Sequence, residues 1–202
     1  MSKINEFKFL LPAVDGERQR FLDLALTNPE LVTILRKLPE LGVEDCWVVS
    51  GGLVQSVWNA LCGRDPNYGI LDYDIIYFGL DTSWDSEDRV IQRGKELFGG
   101  ISTPVEIRNQ GRVHLWYENK YGHRVPPLRS ACQSLWRYPS RTTAIATRLN
   151  DKALIDLYAP FGIQHALNMK IQPNRRLAQS AVYKDKSQRW HDTWPELEVV
   201  PW

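Results

Sequence analysis

Two aspartates, Asp72 and Asp74, stand one residue apart in an apolar segment, ILDYDIIYF, at residues 70–78. The segment is rich in β-branched and aromatic residues, which predicts a strand. Side chains at positions i and i+2 of a strand point to the same face, ~6.6 Å apart along the chain. Two such carboxylates repel each other and resist loss of water, so a bound cation should offset the cost. Because Mg²⁺ prefers oxygen ligands and is often shared between carboxylates and substrate phosphates, the spacing indicates a magnesium site.

The Asp-x-Asp spacing also has other interpretations. One carboxylate could cap a strand edge while the other is solvated. The same spacing marks metal-dependent glycosyltransferases that use sugar nucleotides, although these usually need a longer nucleotide-binding sheet than the roughly 70 residues that precede Asp72. The aspartates alone do not decide between these roles.

A glycine pair lies about 20 residues before the aspartates, in the segment Ser50-Gly51-Gly52. It follows a predicted buried strand at residues 46–50 and precedes a predicted helix at residues 53–61. Glycines there let a ligand approach the backbone closely, and a helix N-terminus offers free N–H groups to a phosphate. Ser50 could add its hydroxyl. The pattern is not a Walker A loop, because no Gly-Lys-Ser/Thr follows, and a tight turn without a ligand is the alternative.

The rest of the chain predicts alternating helices and strands around these segments. Asn28 is expected to cap a helix and Ser86 another, while Trp190 and Trp194 form a packing stripe on the last helix. The order of elements predicts a mixed sheet with helices on one side. Further helices are expected at residues 16–26, 28–38, 86–98, 112–121, 130–137 and 174–193, and strands at residues 104–108, 142–149 and 153–158.

The order of several segments resembles a known superfamily. SGGLVQSVWNAL followed by LDYDIIYF is similar to the pattern of polymerase-beta-like nucleotidyltransferases: a Gly-Gly or Gly-Ser turn on a helix, then a strand with two aspartates around an apolar residue. PVEIRNQGRVHLWY, TTAIATRL, IDLYAPFG and WHDTWPEL resemble, in the same order, a bacterial nucleotidyltransferase-like family long catalogued as a domain of unknown function. The likeness runs from about Val48 to Trp194.

The resemblance implies an α+β, polymerase-beta-like fold, a mixed sheet with helices packed on it. We expect a catalytic domain over residues 1–160 and a small C-terminal helical extension, residues 161–202, packed on the same domain. The resemblance places Ser50, Gly51 and Gly52 at the triphosphate of a nucleotide. It also implies that a third carboxylate on a neighbouring strand completes the metal site: Asp72, Asp74 and Glu106 would hold Mg²⁺ or Mn²⁺. Asp156 is the competing third carboxylate.

The family pattern is not matched at every position. Tyr73 occupies the apolar position between the aspartates. Gly111 stands where alanine is expected, a helix penalty of ~1 kcal/mol. Neither change removes a proposed metal ligand. Beyond Glu106, which could also act as a base, four polar side chains could contact a base or an acceptor, or orient loops: Arg108, Asn109, Gln110 and His114.

These observations predict an enzyme that moves a nucleotidyl group from ATP or another nucleoside triphosphate to an unidentified small-molecule or protein hydroxyl, releasing pyrophosphate. A non-catalytic nucleotide- or partner-binding module on the same fold is the alternative. The charge is only +1, with 25 basic and 24 acidic residues, so a long nucleic acid partner is not expected. Three cysteines without a CxxC pair, no secretory core in residues 1–9 and no long apolar run predict a cytoplasmic protein without a membrane segment.

Overall fold

The computed structural model describes residues 16–150, 152, 154–177 and 179–202. The expectation for residues 1–9 therefore lies outside the described residues, as do the centre of the predicted turn at residues 150–152 and the first residue of the strand predicted at 153–158.

A five-stranded mixed sheet forms the centre of the molecule, with the strand order β3-β2-β1-β4-β5. The pair β2–β3 is parallel and is connected by a helix, whereas β1–β2, β1–β4 and β4–β5 are antiparallel. The predicted mixed α+β architecture is confirmed. The five strands are β1 (Trp47–Val49), β2 (Tyr73–Tyr77), β3 (Val105–Asn109), β4 (Ala146–Leu149) and β5 (Ile155–Tyr158).

Seven α-helices are found among the described residues, and most of them cover one face of the sheet. Tyr73, Ile75 and Tyr77 of β2 point into this main core, where they pack with apolar side chains of the helices. The helices are α1 (Gly16–Ala25), α2 (Pro29–Lys37), α3 (Ser50–Leu61), α4 (Trp84–Phe98), α5 (Val113–Tyr121), α6 (Gln164–Leu167) and α7 (Ser180–Thr193). A two-stranded parallel pair, β6 (Lys170–Ile171) and β7 (Glu198–Val199), was not predicted.

The opposite face of the sheet carries a smaller apolar cluster. Val49 and Ile76 pack there with Ala131 and Leu135, which lie at the 3-10 helix Cys132–Arg137. This helix was predicted as part of residues 130–137. Because side chains alternate along a strand, Asp74 belongs to the same face as Ile76, away from the main core.

Helix boundaries depend on capping side chains. Asn28 caps α2 as predicted, because its Oδ1 accepts from the amides of Glu30 and Leu31. The cap of α4 is Ser83 rather than Ser86: the Ser83 hydroxyl accepts from the amide of Ser86, so the cap lies three residues before the predicted one and the helix begins at Trp84. An N-cap side chain accepts from the amide of the residue two or three positions later. Because the sequence has serine at both 83 and 86, the capping pattern alone does not distinguish the two.

Two predicted segments are longer than the elements that form. The strand predicted at 142–149 begins at Ala146, because the hydroxyl of Thr142 donates to the backbone of Lys170 instead of entering the sheet. The helix predicted at 174–193 begins at Ser180, because the side-chain amide of Asn174 donates to the carbonyls of Trp136 and Tyr138. None of the helices described here is long and apolar enough to cross a membrane.

Candidate active site

The two aspartates of the Asp-x-Asp pair flank a residue that is anchored on the other face of β2. Tyr73 is fully buried, and its hydroxyl is held by Asn28 Nδ2 at 2.7 Å and by Asn67 Oδ1 at 3.0 Å. This anchor fixes the rotation of the strand, so Asp74 points to the opposite face. The tyrosine at this position therefore fills a core site rather than weakening the pattern.

Glu106 lies beside Asp74 on the neighbouring strand. The parallel register pairs Asp74 with Glu106, and the antiparallel register pairs Asp74 with Val49 at the end of β1. Paired residues of adjacent strands share a face, so Asp74 and Glu106 belong to the same face of the sheet, and Asp72, which directly precedes β2, is close enough for its charge to act on Asp74. The exposed Glu106 carboxylate forms an ion pair with Arg108 at 3.3 Å.

Asp156, the competing third carboxylate, lies on β5 at the far edge of the sheet. Two strands, β1 and β4, separate it from Asp74. Its oxygens accept from Arg148 Nε at 3.0 Å and from Asn150 Nδ2 at 2.9 Å. These contacts and this distance favour Glu106 as the third member of the acidic group.

The electrostatics of Asp74 reflect this crowding. Burial, together with the charges of Asp72 and Glu106, raises its pKa from 3.8 to about 6, while Lys186 and Arg108 act in the opposite direction. A carboxyl group with a raised pKa is one whose charged form lacks compensation. The site therefore favours an added cation.

The donor set suits a divalent ion. In the part of the chain that the structure describes, no three His, Cys, Asp or Glu side chains are already gathered closely enough to hold a metal. Asp72, Asp74 and Glu106 nevertheless offer carboxylate oxygens at two neighbouring strands, which is the ligand type that Mg²⁺ and Mn²⁺ take. Because substrate phosphates complete many Mg²⁺ sites, the side chains need not form a closed cage on their own.

Helix α3 begins directly after the end of β1, next to the acidic row, which is the name used here for Asp72, Asp74 and Glu106. Ser50 adopts a left-handed backbone with φ of 66°, and its amide donates to the carbonyl of Ile145. A non-glycine residue in this region stores strain, which is typical of functional sites. The amides of Gly51 and Gly52 follow in the first turn, where N–H groups have no partner within the helix.

The two glycines differ in their surroundings. A Cβ on Gly52 would lie 2.6 Å from Tyr73 Cδ1 and 2.9 Å from the Asp72 carbonyl oxygen. A Cβ on Gly51 would meet only the end of the Gln55 side chain, at 3.3 Å. Gly52 thus lets α3 approach β2 closely and sets the distance between the helix N-terminus and the aspartates, whereas a side chain on Gly51 would meet only the flexible end of Gln55.

A cavity of about 270 Å³ opens on the acidic face of the sheet. Ser50, Asp74 and Arg108 lie at its floor, and one face of α5 forms a wall. The C-terminal segment closes it from another side with Gln179, Val182 and Lys186. The other residues that line it are Ile76, Gln110, Val113, Trp116, Tyr117, Lys120, Tyr121, Leu128, Ser134, Arg137, Tyr138, Pro139 and Thr143.

The four polar residues predicted beyond Glu106 separate into two groups. Arg108 and Gln110 line the cavity, whereas Asn109 and His114 are not among its lining residues. Asn109 is buried, and its Oδ1 accepts from the amides of Gly79 and Gly111, so it supports the backbone. Half-buried His114 sits on α5 with its Nδ1 unpartnered.

Gly111 is required by the local backbone. A Cβ at this position would lie 2.5 Å from the carbonyl oxygen of Gly79. The residue also lies in the 3-10 turn Gln110–Arg112, before α5 begins. The expected helix penalty therefore does not apply, because alanine would not fit.

Several cavity residues were missed from the sequence. Lys186, Arg137 and Tyr138 line the cavity; the charge of Lys186 acts on Asp74, and burial beside Asp74 raises the pKa of Tyr138. These residues are far from the aspartates in sequence, and no short motif contains them. The one available signal was the i, i+4 spacing of Val182 and Lys186, which puts them on one face of α7.

The family profile of nucleotidyltransferases matches residues 36–199 of this chain. The matched region contains the Ser50-Gly51-Gly52 turn, the acidic row and α7. No curated protein sequence matched the chain.

Solved structures with similar folds agree with the family. A structure described as revealing a CCA-adding enzyme head domain, solved by NMR, has a TM-score of 0.73 and 23% identity, covering 94% of this chain and 98% of its own. The Thermotoga maritima CCA-adding enzyme complexed with tRNA, and a CCA-adding enzyme in complex with ATP, each have a TM-score of 0.52 and 18% identity. Each covers 88% of this chain, which spans 41% of theirs.

The sequence identity to each of these structures is below 25%, so the similarity is evidence about the fold alone. It agrees with the predicted polymerase-beta-like architecture. The family match covers most of the chain and favours nucleotidyl transfer over the sugar-nucleotide alternative. With the acidic row of β2 and β3 beside the N-terminus of α3, it identifies the chain as a member of the nucleotidyltransferase family.

Proposed function

We propose that this chain uses a divalent cation to transfer a nucleoside monophosphate from a nucleoside triphosphate to a hydroxyl group of a small molecule or protein. The observation that carries the proposal is the register that brings Asp74 and Glu106 side by side at the end of β1, where α3 begins. Carboxylates and a helix N-terminus are then adjacent, which suits a metal-bound polyphosphate.

Asp72, Asp74 and Glu106 are the residues that would hold Mg²⁺ or Mn²⁺. When bound, such an ion neutralises phosphate charge and stabilises the attacking and leaving oxygens of a phosphoryl displacement. The raised pKa of Asp74, about 6, means that the carboxylates lack compensation by the protein alone.

The remaining groups of the site bind and orient the phosphates. The amides of Gly51 and Gly52, with the Ser50 hydroxyl, face the polyphosphate, and Lys186 and Arg108 supply positive charge on the other sides. The acceptor oxygen forms a bond to the α-phosphorus, the bond from that phosphorus to the bridging oxygen breaks, and pyrophosphate leaves. Glu106 accepts the proton of the acceptor hydroxyl. Rate enhancement comes mainly from positioning and charge neutralisation.

The charge balance supports an acceptor that is smaller than a long nucleic acid. The overall charge of +1 provides no excess of cations for a polyanionic strand. This chain spans only 41% of the CCA-adding enzyme that was solved with tRNA.

The test is calorimetric titration of ATP with and without Mg²⁺ against the wild-type protein, Asp74→Asn and Asp156→Asn. Metal-dependent binding should be lost in Asp74→Asn and kept in Asp156→Asn, because Asp156 is on the opposite edge of the sheet. Equal metal-dependent binding by all three proteins would remove the proposed site.

A second measurement separates an enzyme from a binding module. Pyrophosphate release is followed with ATP, Mg²⁺ and a panel of sugar, alcohol and protein hydroxyl acceptors. Release that depends on both Asp74 and Glu106 supports catalysis. Binding of Mg²⁺–ATP without release across the panel supports the non-catalytic alternative.

A further inference from the structure

The inner end of the cavity contains a buried amide that is only half satisfied. Gln179 is 6% exposed, and its Nε2 donates to the hydroxyl of Tyr117 at 2.6 Å. Its Oε1 is buried and has no hydrogen-bond partner. Both side chains line the cavity. A buried carbonyl oxygen without a donor costs free energy, so this oxygen is poised for a ligand N–H or O–H.

A guanidinium that interacts with the same tyrosine is also incompletely paired. Arg137 Nη2 donates to the carbonyl of Pro126 at 2.7 Å, whereas Nη1 is buried without a partner. Burial lowers the pKa of Arg137, and the nearby Tyr117 hydroxyl partly opposes that shift. Arg137 and Gln179 thus present one unpaired donor and one unpaired acceptor around the same tyrosine.

The wall between these groups is aromatic. Tyr117 and Tyr121 lie 4.6 Å apart by ring centroids, and Trp116 stacks on Tyr117 at 6.1 Å. All three line the cavity from one face of α5. Aromatic faces bind flat rings by stacking, with little preference among the bases.

The inner end is separated from the acidic end by about two helical turns. Gln179 precedes α7 and Lys186 lies seven residues later, which corresponds to about 10 Å of helical rise. Lys186 contributes to the electrostatics of Asp74. Among the described residues that line the cavity, Asp74 carries the only carboxylate. One end therefore suits phosphates, and the other suits a flat, neutral ring with donors and acceptors on its edge.

We propose that the inner end of the cavity is the nucleobase subsite of the donor nucleotide, with Gln179 Oε1 accepting from a base N–H and Arg137 Nη1 donating to a neighbouring ring nitrogen or carbonyl oxygen. This inference rests on the proposed function, because the phosphates of the same nucleotide must lie at Ser50 and Asp74. The base edge satisfies both unpaired groups at once, and the aromatic wall of α5 covers its face.

The test compares nucleotides with a ligand that has no base. Wild-type protein is titrated with ATP, GTP, CTP, UTP and inorganic tripolyphosphate, each with Mg²⁺. At least one nucleotide should bind about tenfold or more tightly than tripolyphosphate. If none of the four binds more tightly, the base makes no contact and the subsite is rejected. This comparison needs no variant and is independent of folding defects.

The contribution of the amide is measured with Gln179→Met, and Gln188→Met on exposed α7 surface is the matched control. Gln179→Met should weaken the preferred nucleotide about three- to tenfold and leave tripolyphosphate unchanged, and Gln188→Met should change neither. An equal loss for nucleotide and tripolyphosphate, or no loss for either, would overturn the assignment.

Tripolyphosphate binding by Asp74→Asn distinguishes an error in the base subsite from an error in the proposed function. If tripolyphosphate binding requires Mg²⁺ and Asp74 but nucleotides gain nothing over it, the phosphate site stands and only the base subsite is wrong. If tripolyphosphate binding does not depend on Asp74, the acidic site itself is wrong, and the base subsite is rejected with it.

Discussion

At the scale of single residues, the charge of Asp74 lowers the stability of the fold. Its pKa of about 6 in the folded protein lies above the ordinary value of 3.8, so the charged form is disfavoured by folding. The resulting destabilisation is fully present above pH 6 and is relieved as the pH falls from about 6 toward 3.8. A residue selected only for stability would not carry a charge at this position.

We therefore expect metal-free Asp74→Asn to be more stable than the wild type at pH 8, by about 1–3 kcal/mol, since each pKa unit corresponds to ~1.4 kcal/mol. Most of the difference should be lost by pH 4, where the carboxyl group is protonated in the folded state and about half protonated in the unfolded state. Urea unfolding with EDTA at the two pH values measures it. Asp185→Asn, on the exposed surface of α7, is the control. A variant less stable than the wild type at pH 8 would contradict the electrostatic account.

Lys186 offers a second prediction at this scale, because it is the α7 cation whose charge acts on Asp74. Lys186→Met should reduce the affinity for Mg²⁺–ATP about ten- to hundredfold, the usual loss for a hydrogen bond to a charged group. Lys184→Met, two residues away and exposed, should have no effect. Both are measured by calorimetry with ATP and Mg²⁺. Equal affinity of the two variants would show that Lys186 does not reach the phosphates.

At the scale of elements, the contact of α3 with β2 determines where the helix N-terminus lies. Gly52→Ala should destabilise the fold by about 1–3 kcal/mol, because its Cβ would lie within 3 Å of Tyr73 and of the Asp72 backbone. Gly51→Ala should keep or raise stability by up to ~1 kcal/mol, since only the flexible end of Gln55 is near.

Thermal and urea unfolding of the two variants measures this difference, and ATP titration adds a second comparison. Gly51→Ala should weaken nucleotide binding despite its intact fold, because it adds a methyl group to the first turn of α3, where we propose that the phosphates bind. If Gly51→Ala destabilises the protein as much as Gly52→Ala, the assigned roles of the glycines are wrong.

The elements and the acidic row could largely be predicted from local patterns. The alternation around Tyr73 and the cap at Asn28 depend on neighbours in sequence, so both are visible there. That the Asn28 amide also holds the Tyr73 hydroxyl is not visible, because 45 residues separate them. The same limit explains why Ser83 rather than Ser86 caps α4. Both serines satisfy the capping pattern, and the three-dimensional path of the chain determines which one is the cap.

The cavity shows the same limit more strongly. Ser50, Arg108 and Gln110 line the cavity, lie near the predicted motifs and were named from them, whereas Gln179 and Lys186 reach the site only through the docking of α7. Their types are ordinary for a polar helix, and the i, i+4 spacing of Val182 and Lys186 indicates only a shared helix face, not what that face contacts. Contacts between distant segments depend on tertiary packing, which one sequence does not contain.

At the scale of the whole molecule, α7 joins the main core to the cavity. Trp194 is fully buried, donates from Nε1 to Asn59 Oδ1 at 2.8 Å and meets the ring of Trp58 edge-on at 5.5 Å. The same helix presents Val182 and Lys186 to the cavity. Packing of Trp194 at the C-terminal end of α7 therefore helps to position Val182 and Lys186 at the cavity.

Trp194→Ala should lower the free energy of unfolding by about 3–5 kcal/mol, as large aromatic truncations in cores do. It should also weaken Mg²⁺–ATP binding under conditions where the variant is still folded, because α7 loses its anchor. Urea unfolding and ATP titration below the transition measure the two effects. Arg189→Ala, exposed on the same helix, is the control. Reduced stability with unchanged ATP affinity would mean that α7 does not transmit packing to the site.

The charge balance of the whole chain leads to a prediction about its partners. With 25 basic and 24 acidic residues, the surface has no excess of cations to displace the counterions of a nucleic acid. Single-stranded RNA of about 20 nucleotides should therefore bind weakly at 150 mM salt, with a Kd above roughly 10 µM, even though a structurally similar CCA-adding enzyme was solved with tRNA. Fluorescence anisotropy with labelled RNA measures this, and Mg²⁺–ATP affinity in the same buffer serves as the control for an intact site. Submicromolar RNA binding that weakens steeply with salt would contradict the prediction, because it would require a local basic surface that the overall charge conceals.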